Sequence, residues 1–276
     1  MADATQTMPS QSSASEQTLV KYAVGDGVAI IELTNPPANT YSYDMMRQLD
    51  AAIIRARFDE EVHVLLLRGA GEKFFSAGAD IAMLNAVTPT FKYYFCLHAN
   101  ETLTRLEQTP KLVIAALSGH TVGGGLEIAL ACDIRIARKG GGKVGLPEMN
   151  LGVLPGTGGT QRLARALPKN KAIELMAEAR LMDFEEAHDY GLINYLYESE
   201  GYWDEVLAYA HSFCPPHKAA RAVGRLKRAV QSGSEVSFSE ALALERGLQQ
   251  LCFQSEDAKE GIAAYNEKRQ PAFKAR

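Results

Sequence analysis

No stretch of the 276-residue chain approaches the roughly 18 consecutive apolar residues of a membrane span, and Leu112–Leu117 is among the longest runs. Cysteine is scarce. Cys96, Cys132, Cys214 and Cys252 stand far apart with no C-x-x-C pair, which argues against a disulfide framework or a zinc ribbon and for free thiols in a reduced compartment. Basic residues do not predominate either: 29 Lys and Arg face 33 Asp and Glu, for a net charge of −4. A broad basic face for nucleic acid or an anionic membrane is therefore missing. No basic residue precedes Lys21, so the N-terminus lacks the charged segment of a secretory signal. The expectation is a soluble, cytoplasmic protein with neither nucleic acid nor membrane as partner.

Familiar catalytic signatures are missing too. There is no G-x-S-x-G elbow for a serine hydrolase. The six histidines form no H-x-x-x-H pair, and no metal site is expected. Gly140-Gly141-Gly142-Lys143 resembles part of a phosphate loop, but Ala137 stands where its first glycine belongs and Val144 where its Ser or Thr belongs. Gly156-Thr157-Gly158-Gly159 lacks the G-x-G-x-x-G period of a dinucleotide fold.

What is present is an ordinary globular composition, 46% apolar and 22% charged. Residues 1–18, mostly Ala, Ser, Thr and Gln, read as a disordered tail. Leu19–Ala23 and Val28–Leu33 flank Gly25-Asp26-Gly27 as a β-hairpin. Helical spacing over Tyr43–Phe58 places Met46, Leu49, Ile53 and Arg57 near one face. Continuous apolar runs at Val62–Leu67, Leu112–Leu117 and Ile134–Ala137 read as strands buried on both faces, with helices at about Phe91–Glu107 and Leu126–Cys132 between them. Helices at Gly159–Leu167 and Lys169–Ala177, a capping box at Asp183 and Glu186, and a strand at Ile193–Tyr197 follow. This alternation predicts an α/β fold with a parallel sheet. From Tyr202 the pattern is helical only: Val206–Phe213, Ala219–Val230, Phe238–Phe253 and Ala258–Lys268, with a capping box at Ser237 and Glu240. Lys218, Arg221, Arg225, Lys227 and Arg228 read as the solvated face of one of these helices.

Candidate chemistry gathers at three places where a strand gives way to a turn or helix, the usual position of ligands in open α/β sheets. In Ser76-Ala77-Gly78-Ala79-Asp80-Ile81 small residues permit close backbone approach, and Asp80 also suits a helix cap. In Gly123-Gly124-Gly125-Leu126-Glu127 glycines expose amides ahead of a helix that is apolar except for Glu127. A carboxylate buried there is costly unless it is hydrogen-bonded, paired or used. In Pro147-Glu148 a second carboxylate stands beside an apolar loop stiffened by Pro155 and Gly156. Two carboxylates and two amide sources suit proton transfer beside a carbonyl.

Taken in order, Phe75-Ser76-Ala77-Gly78-Ala79-Asp80-Ile81, Gly123-Gly124-Gly125-Leu126-Glu127, Pro147-Glu148 and Leu154-Pro155-Gly156-Thr157-Gly158-Gly159-Thr160-Gln161-Arg162-Leu163 resemble the crotonase superfamily, and within it enoyl-CoA hydratase, from about Leu19 to Lys274. The resemblance implies an α/β fold with a repeated ββα spiral core over 19–200 and a helical oligomerisation region over 201–276. It also implies lipid or fatty acid metabolism and a homotrimer or dimer of trimers (a homohexamer). Glu127 and Glu148 would hold a water that adds across the 2,3-double bond of a trans-2-enoyl-CoA, giving a 3-hydroxyacyl-CoA. The amides of Ala79 and Gly124 would form the oxyanion hole. Ala38, Asn39, Ala77, Asp80, Ile81, Ala82, Gly123, Pro147 and Gly156 would border the substrate, and coenzyme A would be part of that substrate, with no separate cofactor.

Related Δ3,Δ2-enoyl-CoA isomerases generally lack one glutamate of the pair, so isomerase comes second, with other crotonase-type lyases and hydrolases behind it. A non-catalytic CoA- or RNA-binding protein is the alternative of another class, and the acidic balance argues against it. The sequence departs from relatives at Ala82, where a Lys is frequent, at Lys139–Lys143, one residue longer, and at the turn around Asn39, one residue shorter. Met83 and Leu84 should line the acyl pocket, and Tyr93, Tyr94 and Phe95 should pack in the core.

Overall fold

A computed structural model describes residues 17–276, so the expected tail lies outside the described residues except for Gln17 and Thr18. Strands β1 (Val20–Gly25) and β2 (Val28–Leu33) form the expected hairpin. Its turn places Asp26 and Gly27 both at positive φ, which matches the twist of paired strands. Helix α1 (Tyr43–Phe58) starts on Ser42, whose hydroxyl accepts the Met45 amide, and buries Met46, Leu49 and Ile53. Arg57 instead turns its guanidinium to Thr109 and the Arg105 carbonyl.

The next stretch repeats one unit. Strand β3 (Val64–Gly69) is followed by the short β4 (Phe74–Ser76) and helices α2 (Ile81–Ala86) and α3 (Pro89–Gln108). Strand β5 (Leu112–Leu117) is followed by the short β6 (His120–Val122) and α4 (Gly124–Leu130). Strand β7 (Ile134–Arg138) is followed by the short β8 (Lys143–Gly145), a 3-10 turn at Glu148–Leu151 and α5 (Gly159–Ala166). Then come α6 (Lys169–Ala177), β9 (Met182–Asp183), α7 (Phe184–Asp189) and β10 (Tyr195–Tyr197). The chain closes with α8 (Tyr202–His211), α9 (Ala220–Gly233), α10 (Phe238–Phe253) and α11 (Glu256–Asn266).

The long strands enter a six-stranded sheet ordered β1-β2-β3-β5-β7-β10, parallel from β2 onward. Its strands are apolar throughout because both faces are covered. Leu65 and Leu67 of β3 join the core formed with α1 and α3, while Val64 and Leu66 face Tyr202, Val206 and Ala210 of α8. The short strands form a second sheet, ordered β4-β6-β8-β9, in which β4, β6 and β8 run parallel. This is the expected ββα repeat, one strand of each pair to each sheet.

Several expectations need correction. Lys227 is not on a solvated face: only 6% exposed, it reaches Asp133 Oδ2 at 2.8 Å and ties α9 to the loop before β7. The capping box at Asp183 forms only in half, since Asp183 accepts the Glu186 amide but the Glu186 carboxylate pairs with Arg180. The box at Ser237 and Glu240 forms in full. Of the aromatic trio on α3, Phe95 is core, but Tyr93 and Tyr94 are 66% and 61% exposed. The strand expected from Ile193 begins only at Tyr195, with Ile193 buried ahead of it.

Candidate active site

The three motifs meet because the short sheet aligns them. Each follows the C-terminal end of β4, β6 or β8, and these strands are parallel neighbours. The loops therefore emerge side by side from one sheet edge. Their approach is close: a Cβ on Gly78 would lie 2.9 Å from the Gly124 nitrogen, and one on Gly123 would lie 2.8 Å from Glu148 Oε1. Gly123 also has φ +57, a positive-φ conformation open to glycine at little cost.

The first loop is braced from the N-terminal side. The Tyr41 amide donates to the Gly78 carbonyl and the Asp80 amide donates to the Tyr41 carbonyl, a single parallel bridge between Tyr41 and Ala79. Successive peptide groups in such an extended segment point to opposite sides, so the Ala79 N–H faces away from Tyr41. The second amide, Gly124 N–H, is the first of α4, where no preceding helical turn can accept it. Both residues line one cavity of 430 Å³.

Glu127 is 1% exposed and lines that cavity. Among the described residues it forms no ion pair, so the structural ion pair open to a buried acid is not what holds it. Its carboxylate sits instead at the N-terminus of α5. Oε1 accepts the amides of Thr157 at 2.8 Å and Gly159 at 2.7 Å, and Oε2 accepts the Thr157 hydroxyl. Free amides at a helix start are natural partners of a carboxylate. The loop rejected as a dinucleotide motif thus has its amides committed to a side chain of this protein.

Glu148 is held differently. It opens the 3-10 turn after Pro147, and its Oε2 is buried with no hydrogen-bond partner among the described residues. Burial, and then the nearby charge of Glu127, push its carboxyl up to about 7, against the lowering effects of a backbone hydrogen bond and of Lys92. The two acids share the cavity but not their hydrogen-bond partners.

Of the other anticipated residues, Ala77, Ile81, Gly123, Pro147 and Gly156 line the cavity, whereas Ala38, Asn39, Asp80 and Ala82 do not. The Ala38 carbonyl accepts the Ala77 amide. Asn39, 2% exposed, donates to the Ala70 and Phe74 carbonyls and accepts from the Asn35 amide, bracing the loop from behind. Asp80 caps α2 through the Met83 amide. Leu84 lines the cavity as expected, while Met83 packs on the core. Sequence reasoning missed Tyr41, Lys92, Leu151, Val153 and Leu154 in the lining and Thr157 behind Glu127. The glycines at 156, 158 and 159 signalled a site of close approach there without saying what approached.

Comparison with known proteins gives the chain its relatives. The family described as Enoyl-CoA hydratase/isomerase matches residues 23–276. The chain is 37% identical over 258 residues to a probable enoyl-CoA hydratase of Bacillus subtilis (strain 168), covering 92% of this chain and 98% of that one. It is 34% identical to a crotonyl-CoA hydratase of Syntrophomonas wolfei, covering 89% and 94%. A crystal structure of an enoyl-CoA hydratase from Geobacillus kaustophilus HTA426 superimposes with a TM-score of 0.92 at 42% identity, over 94% of this chain and 98% of the other.

Proposed function

This chain belongs to the enoyl-CoA hydratase/isomerase family, and from that premise we propose that it is an enoyl-CoA hydratase working through Glu127 and Glu148. The observation that carries the reading is the pair of acids in one cavity, one held by three hydrogen-bond donors and one kept close to neutral by burial. The thioester oxygen of a trans-2-enoyl-CoA accepts the Ala79 and Gly124 amides. Charge grows on that oxygen as water adds, and each such donor is worth on the order of 3 kcal/mol in the transition state. Glu127 takes a proton from the water as its oxygen bonds to the β-carbon. Glu148, in its acid form, gives a proton to the α-carbon. The product is a 3-hydroxyacyl-CoA, and a proton passing from Glu127 to Glu148 restores the site.

Moving a double bond needs one proton shuttle and no held water, so retention of both acids favours hydration over isomerisation. The chemistry asked of these groups calls on no cofactor beyond the coenzyme A of the substrate. Among the described residues no helix is long and apolar enough to cross a membrane, and the proposed setting is the cytoplasm. Assembly as a trimer or dimer of trimers is supported by exposed apolar residues on the last helices, among them Phe238, Phe253 and Tyr265.

The test is the loss of the enoyl thioester's ultraviolet absorbance when protein is added to crotonyl-CoA. Glu127→Gln and Glu148→Gln should each lower kcat by about a hundredfold or more, as expected for loss of a positioned acid or base. Unchanged rates in both variants would end the two-carboxylate reading. A 3-enoyl-CoA turned over faster than crotonyl-CoA would shift the assignment to isomerase.

A further inference from the structure

Tyr41 is buried, at 2% exposure, yet carries a hydroxyl that needs a partner. It finds one in Thr157, whose Oγ1 lies 3.3 Å away. The direction of that bond follows from counting protons. A threonine hydroxyl has a single proton, and Thr157 gives it to Glu127 Oε2, which as part of a carboxylate only accepts. The proton between Tyr41 and Thr157 is therefore the phenol's. Burial first, and then the charge of Glu127, raise the Tyr41 phenol well above its ordinary range, so it stays a donor.

The same residue also touches both amide sources. Its backbone makes the bridge that turns the Ala79 N–H away from Tyr41. Its ring lies so close over Gly124 that a Cβ there would collide with it. Phe95 supports the ring from the core at 5.8 Å between centroids.

We infer that Tyr41 is the positioning residue of this site: its backbone sets the Ala79 amide, its ring seats against Gly124, and its hydroxyl, through Thr157, orients Glu127 toward the attacking water. The inference rests on the hydratase reading and adds to it a line of donors, Tyr41 to Thr157 to Glu127. Because the hydroxyl acts on Glu127 and not on the thioester, its removal should slow the chemistry without weakening substrate binding.

Tyr41→Phe removes one oxygen and keeps ring and backbone. Its kcat for crotonyl-CoA should fall about fivefold, the value of one oriented hydrogen bond, with KM and melting temperature close to wild type. Thr157→Val should fall further, Thr157→Ser should keep wild-type kcat, and Tyr41→Phe combined with Thr157→Val should be no slower than Thr157→Val alone. A Tyr41→Phe enzyme within about twofold of wild-type kcat, penalties that multiply in the double variant, or a rise in KM at unchanged kcat would each overturn the inference while leaving hydration intact. A wild-type protein that hydrates no enoyl-CoA would remove the hydratase reading and this inference with it.

Discussion

A carboxylate walled in by apolar side chains persists by pairing with a cation, by accepting hydrogen bonds or by keeping its proton. Glu127 takes the second course and Glu148 the third. That both stand in unusual surroundings was legible, because each is an acid set among apolar or stiff neighbours. Which one keeps its proton was not, since the donors that serve Glu127 come from residues 157 and 159, on another element. The raised carboxyl has two consequences of definite sign. As the proposed mechanism uses the acid form of Glu148 to protonate the α-carbon, kcat/KM should decline as pH rises through about 7. A carboxyl lifted in the folded state binds a proton there that the unfolded chain has already released. Its contribution to stability is therefore full in acid and is lost as pH rises through about 7. Melting curves should accordingly show Glu148→Gln gaining on wild type by a few degrees between about pH 5 and about pH 8. A gap that narrows over that range would contradict the assignment.

At the scale of elements, the long strands announced themselves and the short ones did not. Leu112–Leu117 is six apolar residues, and the strand has those same bounds. Phe74–Ser76, His120–Val122 and Lys143–Gly145 are three residues each, too short for any periodicity to register. Yet their parallel pairing sets the three loops side by side. Charge patterning misled in the opposite sense at α9. Lys227 reads as one of a basic run, but the helix turns it inward onto Asp133, with side-chain exposures of 5% and 13%. Burial raises the Asp133 carboxyl, and the charge of Lys227 opposes that rise. Lys227→Met should cost on the order of 3 kcal/mol in urea unfolding, because it strands a buried acid. Lys218→Met, on an exposed residue beside the helix, should cost roughly nothing by the same measurement. Equal costs would mean the pair does not anchor α9.

The whole molecule leaves much apolar surface uncovered at its C-terminal end. No residue of α10 is buried, and Phe238 and Phe253 at its two ends are 79% and 64% exposed, with Tyr265 of α11 at 85%. Apolar patches of this kind usually mark contact with another protein. Light scattering should return three or six times the 30.1 kDa of one chain, and a combined Phe238→Glu and Phe253→Glu variant should fall to smaller species with its helical signal retained. A monomeric wild type would sink the proposed assembly.

Much of this protein was decided by residue order alone: the parallel sheet, the positions of most helices, both glutamates and the two glycine-rich amide sources. Those features are local, set by apolar runs, by caps and by the steric freedom of glycine. Tertiary structure decided what local signals cannot hold. It sent the 39 side chain behind the site and the 41 side chain into it, gave the 157–159 turn to Glu127 as its donors, and left Glu148 Oε2 without one. Hydrogen bonds and burial depend on which distant segments pack together, and no local signal carries that.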